Sequence, residues 1–114
     1  MIQFEKIDAI GKIILDRPQK YNSFVREMAL RLQKILQDCA NDKFIRCIVI
    51  TGSEKAFSAG QDLKEVTDSN SPSIDVIIKE HYNPIITLIR EIKKPIIAAV
   101  NGVAAGAGAN IALA

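Results

Sequence analysis

Two stretches of the chain, CIVITGSEKAFSAGQDL (residues 47–63) and PIIAAVNGVAAGAGAN (residues 95–110), decide the fold. Each contains a short apolar run, CIVI or IIAAV, of the kind that forms a parallel strand covered on both faces. Each run then leads through a loop of small residues toward a helix. Because open α/β sheets collect ligands at the carboxyl ends of their strands, the two loops predict one shared ligand site.

The flanking sequence supplies the remaining elements of an α/β fold. Residues 2–7 and 10–16 are β-branched runs separated by Asp8-Ala9, which predicts an antiparallel pair. Residues 23–39 predict a helix that Asn22 or Ser23 can cap. Its apolar face consists of Phe24, Met28, Leu32, Ile35, Leu36 and Cys39.

A second amphipathic helix is predicted around Pro84, which must kink it or divide it into two pieces. Its apolar face consists of Ile74, Ile78, Tyr82, Ile85, Ile89 and Ile92. The polar residues 67–73, TDSNSPS, predict a mobile surface loop before it. Strands and helices alternate along the chain, which favours parallel pairing through right-handed crossovers.

Composition excludes several functional classes. The 114 residues are 48% hydrophobic and 25% charged, which is typical of a globular chain. The net charge is only +2, which does not indicate a nucleic-acid-binding protein. The apolar residues 95–114 are interrupted by Asn101 and Asn110, which disfavours a membrane span. Cys39 and Cys47 lack metal-ligand spacing, so we expect reduced core residues of a cytoplasmic protein.

The last predicted helix, after residues 102–108, has no closing Gly and no basic final turn. It stops at Ala114 in the middle of an apolar face. We therefore expect residues 1–114 to be the N-terminal part of a single domain that is truncated in its last helix.

AFSAGQDL and PIIAAVNGVAAGAGA resemble, in the same order and context, the two signature segments of the crotonase (enoyl-CoA hydratase/isomerase) superfamily. The opening stretch IILDRPQKYNSF, residues 13–24, also resembles the N-terminal strand and turn of that family. The resemblance implies the N-terminal portion of a crotonase-like ββα superhelix. It also implies an acyl-CoA substrate, no cofactor or metal beyond the CoA of that substrate, and a homotrimer or hexamer when intact.

The resemblance further implies an oxyanion hole. In the family the thioester carbonyl lies between two peptide N–H groups, which correspond by position to those of Gln61 and Ala107. Such paired donors suit a developing oxyanion. The residues implied to bind the CoA and the acyl group are Arg17, Lys20, Ala59, Gly60, Gln61, Asp62, Leu63 and Gly106.

Asn110 departs from the hydratase pattern. That position is usually a Glu in the hydratases, one of two carboxylates that add or remove water by general acid/base catalysis. An amide cannot take a proton at neutral pH. We therefore expect an acyl-CoA isomerase similar to the branch that isomerises ring-epoxide phenylacetyl-CoA or shifts enoyl-CoA double bonds. In that branch one acidic residue later in the chain moves the proton, so we expect the acid/base residue to lie beyond Ala114 and residues 1–114 alone to be inactive in isomerisation. Two alternatives stay open, an enoyl-CoA hydratase and a non-catalytic acyl-CoA-binding module.

Four residues invite other interpretations. Asp62 could be a base, but a carboxylate at the start of a helical turn favours a capping role. His81 has no second ligand at metal spacing, so we expect a partly exposed helical histidine. Gly106 and Gly108 could begin a dinucleotide fingerprint, but the third required position is Ile111, which makes nicotinamide binding unfavoured.

Overall fold

A computed structural model describes residues 1–114 as a mixed α/β fold. The six strands are β1 (Ile2–Ile7), β2 (Ile10–Leu15), β3 (Cys47–Gly52), β4 (Ala56–Ser58), β5 (Ile96–Ala99) and β6 (Val103–Ala104). The five α-helices are α1 (Arg26–Asn41), α2 (Leu63–Thr67), α3 (Ile74–Ile77), α4 (Asn83–Glu91) and α5 (Ala107–Leu113). A 3₁₀ turn covers Pro18–Lys20, and a π-helical segment covers Ile78–Tyr82.

The main sheet has the order β1-β2-β3-β5. β1 pairs antiparallel with β2 through a two-residue turn in which Asp8 adopts φ 52°, a left-handed conformation that Asp tolerates. β2 pairs parallel with β3, and β3 pairs parallel with β5. The predicted hairpin and parallel pairing are confirmed. The prediction that residues 96–100 form a buried strand is wrong in part, because β5 lies at the sheet edge and Ile97 is 52% exposed.

Helix α1 provides one wall of the core. Its predicted apolar face is confirmed, since those side chains join one buried cluster with Ile13, Leu15, Ile48 and Ile50 of the sheet. The predicted cap is wrong. Val25 occupies the N-cap position and offers no side-chain hydrogen bond, because Asn22 is buried and bonds elsewhere. Of the two cysteines, Cys39 belongs to this core and Cys47 is only half-buried; neither forms a disulfide.

Pro84 divides the second helical region, as predicted, and it lies in the first turn of α4. Since proline has no N–H to donate to the preceding turn, the hydrogen-bond ladder is interrupted there, and the turn before it widens to π-helix. A π turn holds one residue more than an α turn, which shifts the register. Consequently Ile77 and His81 are buried, whereas Ile74 and Ile78 of the predicted face are exposed.

A second, two-stranded parallel sheet, β4–β6, was not predicted because its strands are only three and two residues long. It joins the two loops singled out in the sequence. No helix of the structure combines the length and the apolar character that crossing a bilayer requires.

Candidate functional site

The first loop, which follows β4, leaves one N–H group free. The Ala59 N–H donates to a main-chain carbonyl at 2.9 Å, and the Gly60 N–H donates to Ser58 Oγ at 3.2 Å. The Asp62 N–H donates to the carbonyl of Phe24 at 2.9 Å. Of the four N–H groups in this loop, from Ala59 to Asp62, that of Gln61 alone has no acceptor within the chain. Gly60 adopts φ 99°, a conformation that glycine reaches without strain, and it turns the chain at this point.

The second loop, which follows β6, also presents a free N–H. Ala107 is the first residue of α5, so its N–H has no helical partner, and no other group accepts from it. The preceding Gly106 adopts φ 53°, again a left-handed position. The Ala105 N–H meanwhile donates to the Ser58 carbonyl at 3.0 Å, which ties this loop to β4.

The two loops are in direct contact. A Cβ added at Gly60 would lie 2.8 Å from Ala105 O and 3.2 Å from Ala107 N. A Cβ added at Gly108 would lie only 2.8 Å from the Ser58 carbonyl carbon. Both positions therefore need glycine for close approach, as the abundance of small residues suggested. Gln61 follows Gly60 directly, and the backbone of Gly60 is in contact with that of Ala105 and Ala107. The two free N–H groups therefore belong to chain segments that touch each other.

A cleft opens on each side of this contact. The cleft on the first-loop side, about 410 Å³, is lined by Lys20, Ser23, Ala59, Gln61, Asp62, Leu63 and Lys64. The cleft on the second-loop side, about 370 Å³, is lined by Ile78, Tyr82, Asn83, Ile86, Gly106, Ala107, Asn110 and Ile111. The first holds most of the residues predicted to bind CoA, and the second is mostly apolar. Their roles stay predictions.

Asp62 is a capping residue, as predicted. Its Oδ1 accepts from the N–H groups of Lys64 and Glu65, at 2.8 and 3.2 Å, and so caps α2. Its Oδ2 pairs with Arg17 Nη1 at 2.7 Å, with both side chains largely buried. Burial alone would raise the pKa of Asp62, but the hydrogen bond from Arg17 and the two cap bonds outweigh it and hold the pKa below its usual range.

Arg17 is committed to internal partners. The same Nη1 also donates to Ser23 O and to Ser23 Oγ, each at 3.1 Å, and the side chain is only 14% exposed. Arg17 lines a third, polar cleft of about 470 Å³ together with Lys20. Of the two basic residues predicted to bind the CoA or acyl group, Lys20 is the exposed one.

Asn22 is a structural residue whose importance the sequence did not reveal. Its side chain is fully buried and donates to the carbonyls of Ser53 and Ala56 at 3.0 and 2.8 Å, while it accepts from the Arg17 N–H at 2.7 Å. Its φ of 56° is left-handed, which Asn tolerates better than most residues. Asn22 thereby ties the turn after β2 to the segment that leads into β4.

His81 is fully buried, so the predicted partial exposure is wrong. The register shift at the π turn moves it into the interior. Its Nε2 lies 3.2 Å from Arg26 Nη1, its Nδ1 has no hydrogen-bond partner, and Glu65 Oε1 lies 4.0 Å from that nitrogen. Burial lowers the pKa of His81, and the nearby Glu65 carboxylate opposes this only in part. No cluster of three potential metal ligands occurs in the structure.

The Gln61 side chain connects this region to the first loop, and the sequence did not predict that connection. Gln61 Nε2 donates to Glu65 Oε1 at 3.1 Å, and Gln61 Oε1 accepts from the Tyr82 hydroxyl. Burial raises the pKa of Tyr82, so its phenol stays protonated and remains a donor at neutral pH.

Comparison with known proteins places this arrangement in a family. The family profile described as "Enoyl-CoA hydratase/isomerase" matches residues 5–114. A "1,2-epoxyphenylacetyl-CoA isomerase" of Escherichia coli K12 is 40% identical over 104 residues, which cover 89% of this chain and 40% of that protein. A "Probable enoyl-CoA hydratase" of Rhodobacter capsulatus is 38% identical, covering 99% of this chain and 43% of that protein.

The solved structures agree. An enoyl-CoA hydratase from Bacillus anthracis superposes with a TM-score of 0.90 at 30% identity, covering 98% of this chain and 44% of that one. The chain thus spans well under half the length of these relatives. The predicted crotonase-like α/β fold is confirmed, and the chain belongs to the enoyl-CoA hydratase/isomerase family.

Proposed function

We propose that this chain binds an acyl-CoA and stabilises the enolate of its thioester between the N–H groups of Gln61 and Ala107. The observation that carries the proposal is that these two N–H groups have no acceptor within the chain and belong to loops in contact through Gly60. When a base removes a proton from the carbon next to the thioester, negative charge develops on the carbonyl oxygen. Each N–H donor aimed at such an oxygen contributes about 2.7–4 kcal/mol.

The CoA and the acyl group are assigned to different clefts. The first-loop cleft, with Lys20 and Lys64 at its rim, would take the anionic CoA. The second-loop cleft, with apolar Ile78, Ile86 and Ile111, would take the acyl group and is called the acyl cleft below. The thioester would then lie at the contact of the two loops. CoA enters as part of the substrate, and the proposal requires no separate cofactor.

Isomerisation is the reaction we favour, with ring-epoxide phenylacetyl-CoA or an enoyl-CoA as substrate. Asn110 lines the acyl cleft beside Ala107, and its amide cannot act as a general acid or base at neutral pH. The E. coli relative named as an epoxyphenylacetyl-CoA isomerase supports this reading, whereas the relatives named as hydratases keep hydration as the second candidate. Assembly of the intact protein as a homotrimer or hexamer stays a prediction.

Two measurements separate the candidates. Acetoacetyl-CoA added to the protein should develop the absorbance band of its enolate; CoA binding without the band would indicate the non-catalytic binding module. A 2-enoyl-CoA added to the intact protein should then give a product of unchanged mass with a shifted double bond. A product heavier by one water would identify a hydratase and overturn the isomerase proposal.

Asn110 offers a direct control for the second measurement. Asn110→Asp and Asn110→Glu each place a carboxylate in the acyl cleft, and the two carboxylates lie at different distances from the main chain. If proton transfer at this position governs water addition, the hydrated product should appear or increase in a carboxylate variant and not in Asn110→Ala. Equal product ratios in all three variants would show that Asn110 does not decide between the two reactions.

A further inference from the structure

The side chain of Gln61 forms hydrogen bonds only inside the protein. Its Nε2 donates to the Asp62 carbonyl at 3.2 Å and to Glu65 Oε1 at 3.1 Å, and its Oε1 accepts from the Tyr82 hydroxyl. Both ends of the amide are therefore occupied. The side chain acts as a brace for its own main chain, whose N–H is the proposed oxyanion donor.

The brace has a fixed support on each side. Phe24 forms a parallel bridge with Gln61, in which the Phe24 N–H donates to the Gly60 carbonyl at 2.7 Å. The ring of Phe24 also packs edge-to-face against that of Tyr82, with the centroids 6.1 Å apart and the planes at 74°. Gln61 is thus held through its backbone by Phe24 and through its side chain by Tyr82, and these two aromatic rings pack against each other.

Tyr82 also faces the other half of the site. It lines the acyl cleft together with Ala107 and Asn110, and it is the last residue of the π-helical segment. π turns inside α-helices occur frequently at functional sites, because the extra residue redirects a side chain. Here the π turn places His81 in the interior and leaves Tyr82 between the acyl cleft and Gln61.

We propose that Tyr82 is a positioning residue whose hydroxyl, acting through the Gln61 side chain, holds the Gln61 N–H in line with the Ala107 N–H, while its ring forms a wall of the acyl cleft. The inference rests on the proposed function. In this inference, the Tyr82 side chain does not bond to the oxyanion, but it sets the position of the N–H group that does. Misplacing a reacting group by about 1 Å costs roughly a hundredfold in rate, so loss of the brace should affect enolate formation far more than binding.

The test uses Tyr82→Phe and Gln61→Leu, singly and together, with acetoacetyl-CoA as the probe. We expect each single variant to lower the enolised fraction of the bound probe by roughly tenfold or more, with the Kd of the CoA ester within about threefold of the parent. Because both changes break the same contact, the double variant should lose little more than either one alone. Tyr21→Phe, which removes a hydroxyl from an exposed tyrosine, is the matched control.

The outcomes distinguish this inference from the proposed function. No enolate band in the parent protein would overturn both. A band in the parent that Tyr82→Phe leaves unchanged, or losses in the double variant that simply multiply, would overturn the positioning role alone. Should Tyr82→Phe fail to fold by circular dichroism, Gln61→Leu carries the test, since an unchanged band in that variant would equally refute the brace.

Discussion

Gly108→Ala tests the contact between the two loops. In helix α5 the added Cβ would overlap the Ser58 carbonyl oxygen and lie 2.8 and 2.9 Å from the Ser58 carbonyl carbon and Cβ. Two of these three atoms belong to the backbone of β4, so no side-chain rotation can relieve the overlap. α5 and β4 must therefore separate by on the order of 1 Å, which overpacking of this kind resists at about 1–3 kcal/mol.

Helix propensity acts in the opposite direction. Alanine favours a helix over glycine by about 1 kcal/mol, so propensity alone predicts that Gly108→Ala stabilises the protein. The overlap should prevail because it involves main-chain atoms on both sides. The same separation would displace the neighbouring Ala107 N–H by a similar distance, and a shift of this size costs roughly a hundredfold in catalysis.

The assay combines urea unfolding with the enolate band of bound acetoacetyl-CoA. We expect Gly108→Ala to unfold at lower urea concentration and to lose the band by roughly a hundredfold. Ala105→Ser, which adds one heavy atom to an exposed residue of the same loop, is the control and should change neither. A Gly108→Ala protein that is as stable as the parent and forms the enolate as well would refute the close-contact reasoning.

Changes at three further residues probe the supports of the site. The pKa of His81 is lowered by burial, so as the pH falls below 6.5 the unfolded chain binds a proton that the folded chain does not, and stability should fall; His81→Gln should flatten this part of a pH–stability profile measured by urea unfolding. Asp62→Ala should lower the free energy of unfolding by about 3–5 kcal/mol, because it leaves the Arg17 charge buried and unpaired. Asp62→Asn also removes the charge but retains a capping oxygen, so it should cost only about 1 kcal/mol less than Asp62→Ala, and an Asp62→Asn protein as stable as the parent would show that the charge is irrelevant. Asn22→Ala should cost about 2–3 kcal/mol in thermal or urea unfolding, since it leaves the Arg17 N–H and the Ser53 carbonyl without a partner, while the Ala56 carbonyl keeps its hydrogen bond from Asn101; a loss no greater than that of the exposed Asn41→Ala would contradict this structural role.

Much of the fold is local in origin and could therefore be predicted. The β-branched runs on either side of Asp8-Ala9 suffice for the hairpin, and the helical spacing from Met28 to Cys39 suffices for the buried face of α1. The two apolar runs followed by small residues predict parallel strands with a site at their ends. Even the capping role of Asp62 follows from its position before a helical turn.

The two errors have different causes, a long-range contact at Asn22 and a local break in the helical periodicity at His81. Asn22 does not cap α1 because its amide is engaged by carbonyls more than 30 residues away. His81 is buried because Pro84 widens the preceding turn and shifts the register by one residue. A periodicity count assumes an unbroken helix and cannot anticipate that shift.

The sequence by itself determined the strand–loop–helix units and the small residues that let the two loops approach. Those properties depend on the conformational freedom of glycine and on side-chain volume, which are set residue by residue. Only the tertiary structure decided that the Gln61 and Ala107 N–H groups would both remain without acceptors at the contact of the two loops. It also decided that Tyr82 would reach Gln61, because a hydrogen bond between side chains 21 positions apart exists only once the intervening elements have packed.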